Sequence, residues 1–206
     1  MITSPPGKLI VFEGIDGTGK TTQLSLLART LCQRGLPVIS TREPTDGIYG
    51  RKIRELYRDR ERISRREELE LFVADRREHV RELLEPALQS GKIVLCDRYV
   101  FSTLAYQGAA GLDQDEILRQ NSFAPTPDLV LLFQAPPETG IARITGRRHD
   151  SPNDFEQADT LVRVARIFDA LEQPYIHRID ATGAIATIHE SVMSAVEHII
   201  HQYHLR

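Results

Sequence analysis

Short apolar runs alternate along this chain with stretches whose apolar positions recur at helical spacing, the pattern of strands followed by amphipathic helices. Leu9-Ile-Val-Phe12 is a run of buried-strand length that stops at Gly14. Beyond it Leu24, Leu26, Leu27, Ala28, Leu31 and Cys32 make one apolar helical face, with Gly35 as its stop before Pro37. Further strands are predicted over Pro37–Thr41, Gly91–Asp97, Asp128–Phe133 and Tyr175–Asp180. Ser64-Arg-Arg-Glu67 is a capping box that opens a helix running to about Gln89, with Pro86 expected to kink or break its end. Tyr99–Gly108 reads as helical, Asp113-Gln-Asp-Glu116 starts another helix, and Pro136-Pro137 set up one that runs towards Arg147. Asn153-Asp-Phe-Glu156 caps a helix extending to about Leu171, and Ile185 to about Tyr203 is a closing amphipathic helix. Strands alternating with helices predict an α/β fold, a doubly wound five-stranded parallel sheet with helices on both faces. No repeat or long linker divides the 206 residues, so a single domain is expected over 1–206.

The junction of the first strand and first helix carries chemistry. Gly14-x-x-x-x-Gly19-Lys20-Thr21 matches the phosphate-binding loop G-x-x-x-x-G-K-[ST] in full, and it sits between a strand and a helix as that motif requires. Glycines let successive backbone N–H groups turn inward around phosphate oxygens, and the helix behind them presents roughly half a positive charge. Lys20 can then reach the outer phosphates, and the Thr21 hydroxyl can ligate Mg²⁺. Asp97 ends the third strand, where a carboxylate would share that ion, and Arg98 follows at once. Arg42-Glu43-Pro44 stands at the end of the second strand, on the edge where open α/β sheets place their ligands. Gly146 to Asn153 is a polar stretch with adjacent Arg147 and Arg148, the composition of a mobile lid at about 146–153.

Composition narrows the partners. With 41% hydrophobic and 27% charged residues the chain is an ordinary globular protein. Its net charge of -3 supplies no global positive field for a nucleic acid. The arginines between Arg51 and Arg62 interleave with Glu55, Asp59 and Glu61 and read as a solvated face. Cys32 and Cys96 have no paired spacing and read as buried, reduced thiols, and the late histidines form no ligand set. The start lacks a basic-then-apolar leader, and no apolar window is long enough to span a bilayer. A cytoplasmic protein with no membrane partner is expected. Phe72 and Arg76 lie four apart on one helical face, and spacing alone favours a core ring beside a surface charge.

The chain nevertheless resembles the thymidylate kinases across nearly its whole length. The resemblance rests on Phe12-Glu-Gly-Ile-Asp-Gly-Thr-Gly-Lys-Thr-Thr22, Thr41-Arg-Glu-Pro44, Leu71-Phe-Val-Ala-Asp-Arg76, Asp97-Arg-Tyr99 with Ser102, Ala105-Tyr-Gln107 and Pro127-Asp128. It implies phosphoryl transfer from ATP to dTMP with Mg²⁺, in a homodimer. It reverses the reading of the long helix: Phe72 is implied to stack on thymine and Arg76 to hydrogen-bond the base. Asp16 would contact the acceptor's sugar end, Arg42 and Arg98 would hold its phosphate, Tyr106 would lie against the deoxyribose, and Gln107 would line the base pocket. ATP would sit on Gly14, Ile15, Asp16, Gly17, Thr18, Gly19, Lys20, Thr21 and Thr22, with Arg143 and the turn Asp180-Ala-Thr-Gly183 beside adenine. The variable loop positions Ile15, Asp16, Gly17 and Thr18 carry no basic residue, so extra positive charge over the migrating phosphoryl is expected from Arg147, with Arg148 as alternate.

Three positions depart from the family pattern. Thr45-Asp46-Gly47 follow Pro44 where bacterial members usually have Gly-Gly-Thr, Asn153 stands where an Asp-Arg pair begins, and Gln134 replaces an Asp. Two other readings stay open on sequence. One is a kinase of another monophosphate or of a deoxynucleoside. The other is a nucleotide-dependent switch or a binding module without an acceptor; a G-protein-type switch would need an N-K-x-D motif, which is missing, and the D-x-x-G match at Asp180 to Gly183 is far from the phosphate loop.

Overall fold

A computed structural model of the chain describes residues 7–56, 63–147 and 158–204. Strands β1 (Lys8–Glu13), β2 (Val38–Arg42), β3 (Ile93–Asp97), β4 (Leu129–Gln134) and β5 (Ile176–Asp180) form one five-stranded sheet in the order β2-β3-β1-β4-β5. Every pairing is parallel. The chain first builds the side of the sheet holding β2 and β3, then crosses to β4 and β5, so β1 lies at the reversal, where such sheets open a crevice beyond their carboxyl ends. Phe12 is level with Asp97, and Asp97 with Arg42. That register brings the residues just after three strands to one edge.

Side chains alternate along each strand and feed two separate cores. Leu9, Val11, Val94, Cys96, Val130 and Leu132 point to one face. There they meet α3 (Arg65–His79), a π-helical turn (Val80–Leu84), α4 (Glu85–Gln89), α5 (Val100–Ala109), α6 (Gln114–Gln120) and α8 (Ala158–Asp169). Ile10, Phe12, Ile93, Leu95, Leu129, Leu131 and Phe133 point to the other, against α1 (Lys20–Gln33) and α9 (Ile185–His204). The three inner strands β1, β3 and β4 are buried on both faces, which is why they read as continuous apolar runs, whereas the edge strands β2 and β5 are partly exposed and mix polar residues in.

Several expectations need correction. A helix, α2 (Ile48–Glu55), occupies the stretch read as a solvated Gly- and Arg-rich segment; it buries Ile53 and, with Leu56 beyond it, packs towards α3. The long helix after Ser64 keeps its capping box, with the Ser64 side chain accepting from the Glu67 amide. It then passes through the π-helical turn before Pro86 enters α4 at its start. The break thus precedes the proline, which lacks an N–H for the α-helical ladder. Cys32 is exposed, because it lies about 100° around the helix from Leu31 and off the buried line of Leu24, Leu27 and Leu31. Cys96 is buried as expected, and both thiols are free. The expected lid falls largely outside the described residues, as do Arg148 and the cap at Asn153 to Glu156. α7 (Pro137–Arg147) leads up to it.

Candidate functional site

The turn between β1 and α1 is built to accept an anion. Gly17 has φ of 80°, and a Cβ there would stand 2.2 Å from the Gly140 carbonyl oxygen of α7. Only glycine permits both the left-handed backbone and that approach. Gly19 has φ of 89° and open space where a Cβ would be, on the wall of a cavity. It caps α1 without any side-chain hydrogen bond, which leaves the first amides of the helix to a ligand. The Lys20 ammonium donates to the Ile15 carbonyl at 2.7 Å, and the Thr18 hydroxyl donates to the same oxygen at 2.9 Å. Burial, aided by Arg98, lowers the Lys20 pKa to about 8, although Asp16, Asp97 and Glu13 oppose the shift.

The Thr21 hydroxyl meets Asp97 Oδ2 at 2.5 Å, so both expected metal ligands share one corner. Both offer hard oxygen donors. No group of three or more acidic, Cys or His residues suited to a metal exists among the described residues. A cation here would therefore take its remaining oxygens from phosphates and water, the habit of Mg²⁺.

Arg98 follows β3 with a positive φ of 71°, a conformation costing a non-glycine residue roughly 1–2 kcal/mol. Its amide donates to the Phe12 carbonyl at 2.9 Å. The Glu13 carboxylate fastens the next turn by accepting from the Tyr99 and Ser102 amides and, at 2.5 Å, from the Ser102 hydroxyl. Burial raises the Glu13 pKa to about 7 despite those hydrogen bonds and the nearby Arg98. The Arg98 guanidinium pairs with Asp16 at 2.5 Å, donates to Ser102 and lies over the Tyr106 ring. The Tyr106 hydroxyl donates to the other Asp16 oxygen at 2.7 Å. Burial alone would raise the Asp16 pKa, but Arg98 and Lys20 outweigh it and hold the carboxyl below its usual range.

A cavity of about 430 Å³ joins these groups. One end is walled by Gly17, Gly19, Lys20, Thr21 and Asp97, the other by Phe72, Arg76, Thr103 and Gln107. Thr22, Asp16, Arg42, Arg98, Tyr106 and Arg143 also line it. Gly14, Ile15 and Thr18 shape the loop from behind: the last two are buried, and Gly14 faces the β4 side. Arg76 is neither a surface charge nor free. It is 1% exposed, ion-paired with Glu43 and bonded to Thr103 and Asn121. Gln107 is wholly buried, and neither its amide oxygen nor its nitrogen has a partner among the described residues. Arg143 donates to the Ala181 carbonyl at 2.8 Å, which joins α7 to the turn after β5.

Sequence reasoning missed Arg54. It lies on α2, donates to the Pro44 and Thr45 carbonyls and to Asp46, and lines the cavity. Its partners follow the Arg-Glu-Pro segment within a few residues, but nothing in a run of interleaved charges marks which arginine turns inward. Thr45, at one of the departures, is held by Asp75 of α3 through amide and hydroxyl, and the adjacent Asp46 accepts from Arg42 at 2.7 Å. Gln134 donates to Asp169 at 2.6 Å, away from the cavity. Among the described residues, no helix is long and apolar enough to cross a membrane.

Comparison with known proteins agrees with this geometry. The family model for thymidylate kinase matches residues 12–192. A thymidylate kinase of Desulfotalea psychrophila is 54% identical over 199 residues, 97% of this chain and 98% of that protein. One from Xanthomonas euvesicatoria pv. vesicatoria is 51% identical over 179 residues, 87% of this chain and 78% of that protein.

Proposed function

We propose that this chain, which belongs to the thymidylate kinase family, transfers the terminal phosphoryl group of ATP to dTMP, giving dTDP and ADP. One observation carries the reading: a single cavity has an anion-binding glycine loop at one end and buried, base-sized polar and aromatic walls at the other.

In this account the donor phosphates lie on the Gly14–Thr22 loop, with Lys20 against the outer ones. Thr21 and Asp97 would hold Mg²⁺, which supplies charge neutralisation between donor phosphates when bound. Arg42, Arg98 and Arg54 receive the acceptor phosphate. Arg98 is the fixed member, since Asp16, Ser102 and the Glu13-tied turn immobilise it. Phe72 stacks on thymine, while Gln107 and Arg76 meet its polar edge. Tyr106, held by Asp16, lies where a deoxyribose would pass. Arg143 and the turn at Ala181 flank adenine. No catalytic base is required, because a monophosphate oxygen is already a nucleophile; the protein's work is alignment and charge neutralisation. Arg147 or Arg148 would add positive charge over the migrating group from a lid. The working unit is a homodimer of this single domain in the cytoplasm, which a concentration series in sedimentation would check for assembly.

An acceptor panel tests the reading. With ATP and Mg²⁺, dTMP should give the highest kcat/KM, with dUMP within ~10–200-fold because the two differ by one methyl. A higher value for a purine monophosphate, or phosphorylation of thymidine in preference to dTMP, would overturn it.

A further inference from the structure

An arginine side chain has five N–H groups in a fixed fork. Three on Arg76 are donated in hydrogen bonds, Nε to Glu43 Oε2 at 2.8 Å, Nη2 to Thr103 at 2.9 Å and Nη1 to Asn121 at 2.5 Å, and Nη2 also stands 2.6 Å from Glu43 Oε2 as an ion pair. The second N–H on Nη1 has no protein partner among the described residues, and Arg76 lines the cavity. The Glu43 carboxylate has a second claimant. His79 Nδ1 meets its Oε1 at 2.9 Å, and His79 Nε2 meets the Thr41 hydroxyl at 2.7 Å. A carboxylate only accepts, so Nδ1 carries a proton and donates. His79, Glu43 and Arg76 are all 5% exposed or less. His79 stands three residues after Arg76 on the same face of α3, and the helix opens into its π-helical turn at the next residue, a local form frequent at functional sites.

Gln107 and Arg76 differ in what they can discriminate. An amide that rotates can present either its oxygen or its NH₂ to a base, so Gln107 does not by itself tell a keto oxygen from an amino group. A guanidinium has only donors. Discrimination therefore falls to the spare N–H of Arg76, and its direction is set by how Glu43 is held.

We propose that His79 is a positioning residue for acceptor recognition: by fixing Glu43 from the side opposite Arg76, it sets the guanidinium plane and with it the preference for a base bearing a keto oxygen. This rests on the reading that Arg76 meets the base. It adds that the determinant extends two residues away from the ligand, to a histidine that never touches it.

The test compares His79→Asn, whose amide nitrogen can replace Nδ1 as donor to Glu43, with His79→Gln, whose longer side chain carries its amide towards Thr41. Steady-state kinetics with dTMP and dCMP are measured on both, beside Arg76→Lys, with thermal melts to establish folding. His79→Gln should raise the KM for dTMP and lower the dTMP-to-dCMP ratio of kcat/KM, each about tenfold, the loss of one hydrogen bond to a charged group. The KM for ATP should stay within about twofold, and His79→Asn should recover most of both losses. A His79→Gln enzyme with the wild-type ratio, or Asn and Gln variants that lose dTMP and ATP use alike, would overturn the proposal. The Arg76→Lys control separates the two levels. If it leaves the ratio intact, the base contact itself is wrong; if it collapses the ratio while His79→Gln does not, only the relay is wrong.

Discussion

The two ends of the cavity are made differently. At the end proposed for the acceptor, the side chains are already wired to the protein: Arg76 has three protein partners and Arg98 has Asp16 and Ser102. At the donor end the recognition is mostly backbone. Gly17 and Gly19 hold left-handed conformations, and among the described residues the start of α1 has no side-chain cap and Lys20 hydrogen-bonds a carbonyl of its own loop. A triphosphate offers many equivalent oxygens and needs an inward-turned main chain. A base offers a few directional groups and needs side chains that cannot rotate away.

The sharpest break of this contrast is Lys20→Ala. On the proposed reading it removes the side chain that reaches the outer donor phosphates, and kcat should fall ~10²–10³-fold while dTMP binding changes little. Comparable loss of dTMP affinity would erase the distinction between ends.

Glu13 sharpens the comparison through pH. Its folded pKa of about 7 lies above its ordinary 4.5, so the folded protein holds this proton more tightly than the unfolded chain. The resulting stabilisation is fully present below pH 4.5 and is lost as pH rises through 7, on the order of 3 kcal/mol. Glu13→Gln should flatten that part of the stability-against-pH curve in denaturant titrations; an unchanged slope would show that the buried carboxyl titrates normally.

Glycine substitutions come next. Gly17→Ala forces a side chain against the Gly140 carbonyl and should cost about 1–3 kcal/mol, lowering the melting temperature by roughly 2–12 °C. Gly19→Ala carries the same left-handed strain but meets no atom of the described residues within 4 Å, so it should melt closer to wild type than Gly17→Ala yet weaken ATP binding, because its methyl group would stand on the cavity wall. The smallest effect concerns Asp46. Releasing Arg42 by Asp46→Asn should lower the KM for dTMP by less than about fivefold, the scale of an exposed ion pair.

What could be read in advance follows the same division. The phosphate loop is a local device: strand, glycines, Lys20 and Thr21 are contiguous, so the sequence displays it whole. The inner strands were equally legible, because a doubly covered parallel sheet demands unbroken apolar runs; the edge strands β2 and β5 carry only a weaker pattern of apolar residues among polar ones. The acceptor end was not. Arg76 is buried by Glu43, Thr103 and Asn121, which come from three separate parts of the chain, and helical spacing alone suggested a surface charge. Only resemblance pointed it inward. α2 escaped notice because Gly50 and three basic residues dilute its apolar face, although Gly50 is required there by the Thr45 carbonyl, 1.9 Å from where a Cβ would stand. The same local rule that marked Leu24, Leu27 and Leu31 misplaced Cys32, one position out of phase.

Calorimetric titration of dTMP and of a non-hydrolysable ATP analogue against Arg76→Lys and Lys20→Ala tests the division most directly. The account predicts crossed losses: Arg76→Lys weakens dTMP at least about tenfold with the ATP analogue within twofold, and Lys20→Ala does the reverse. Equal weakening of both ligands by Arg76→Lys, in a protein that still melts cooperatively, would contradict it.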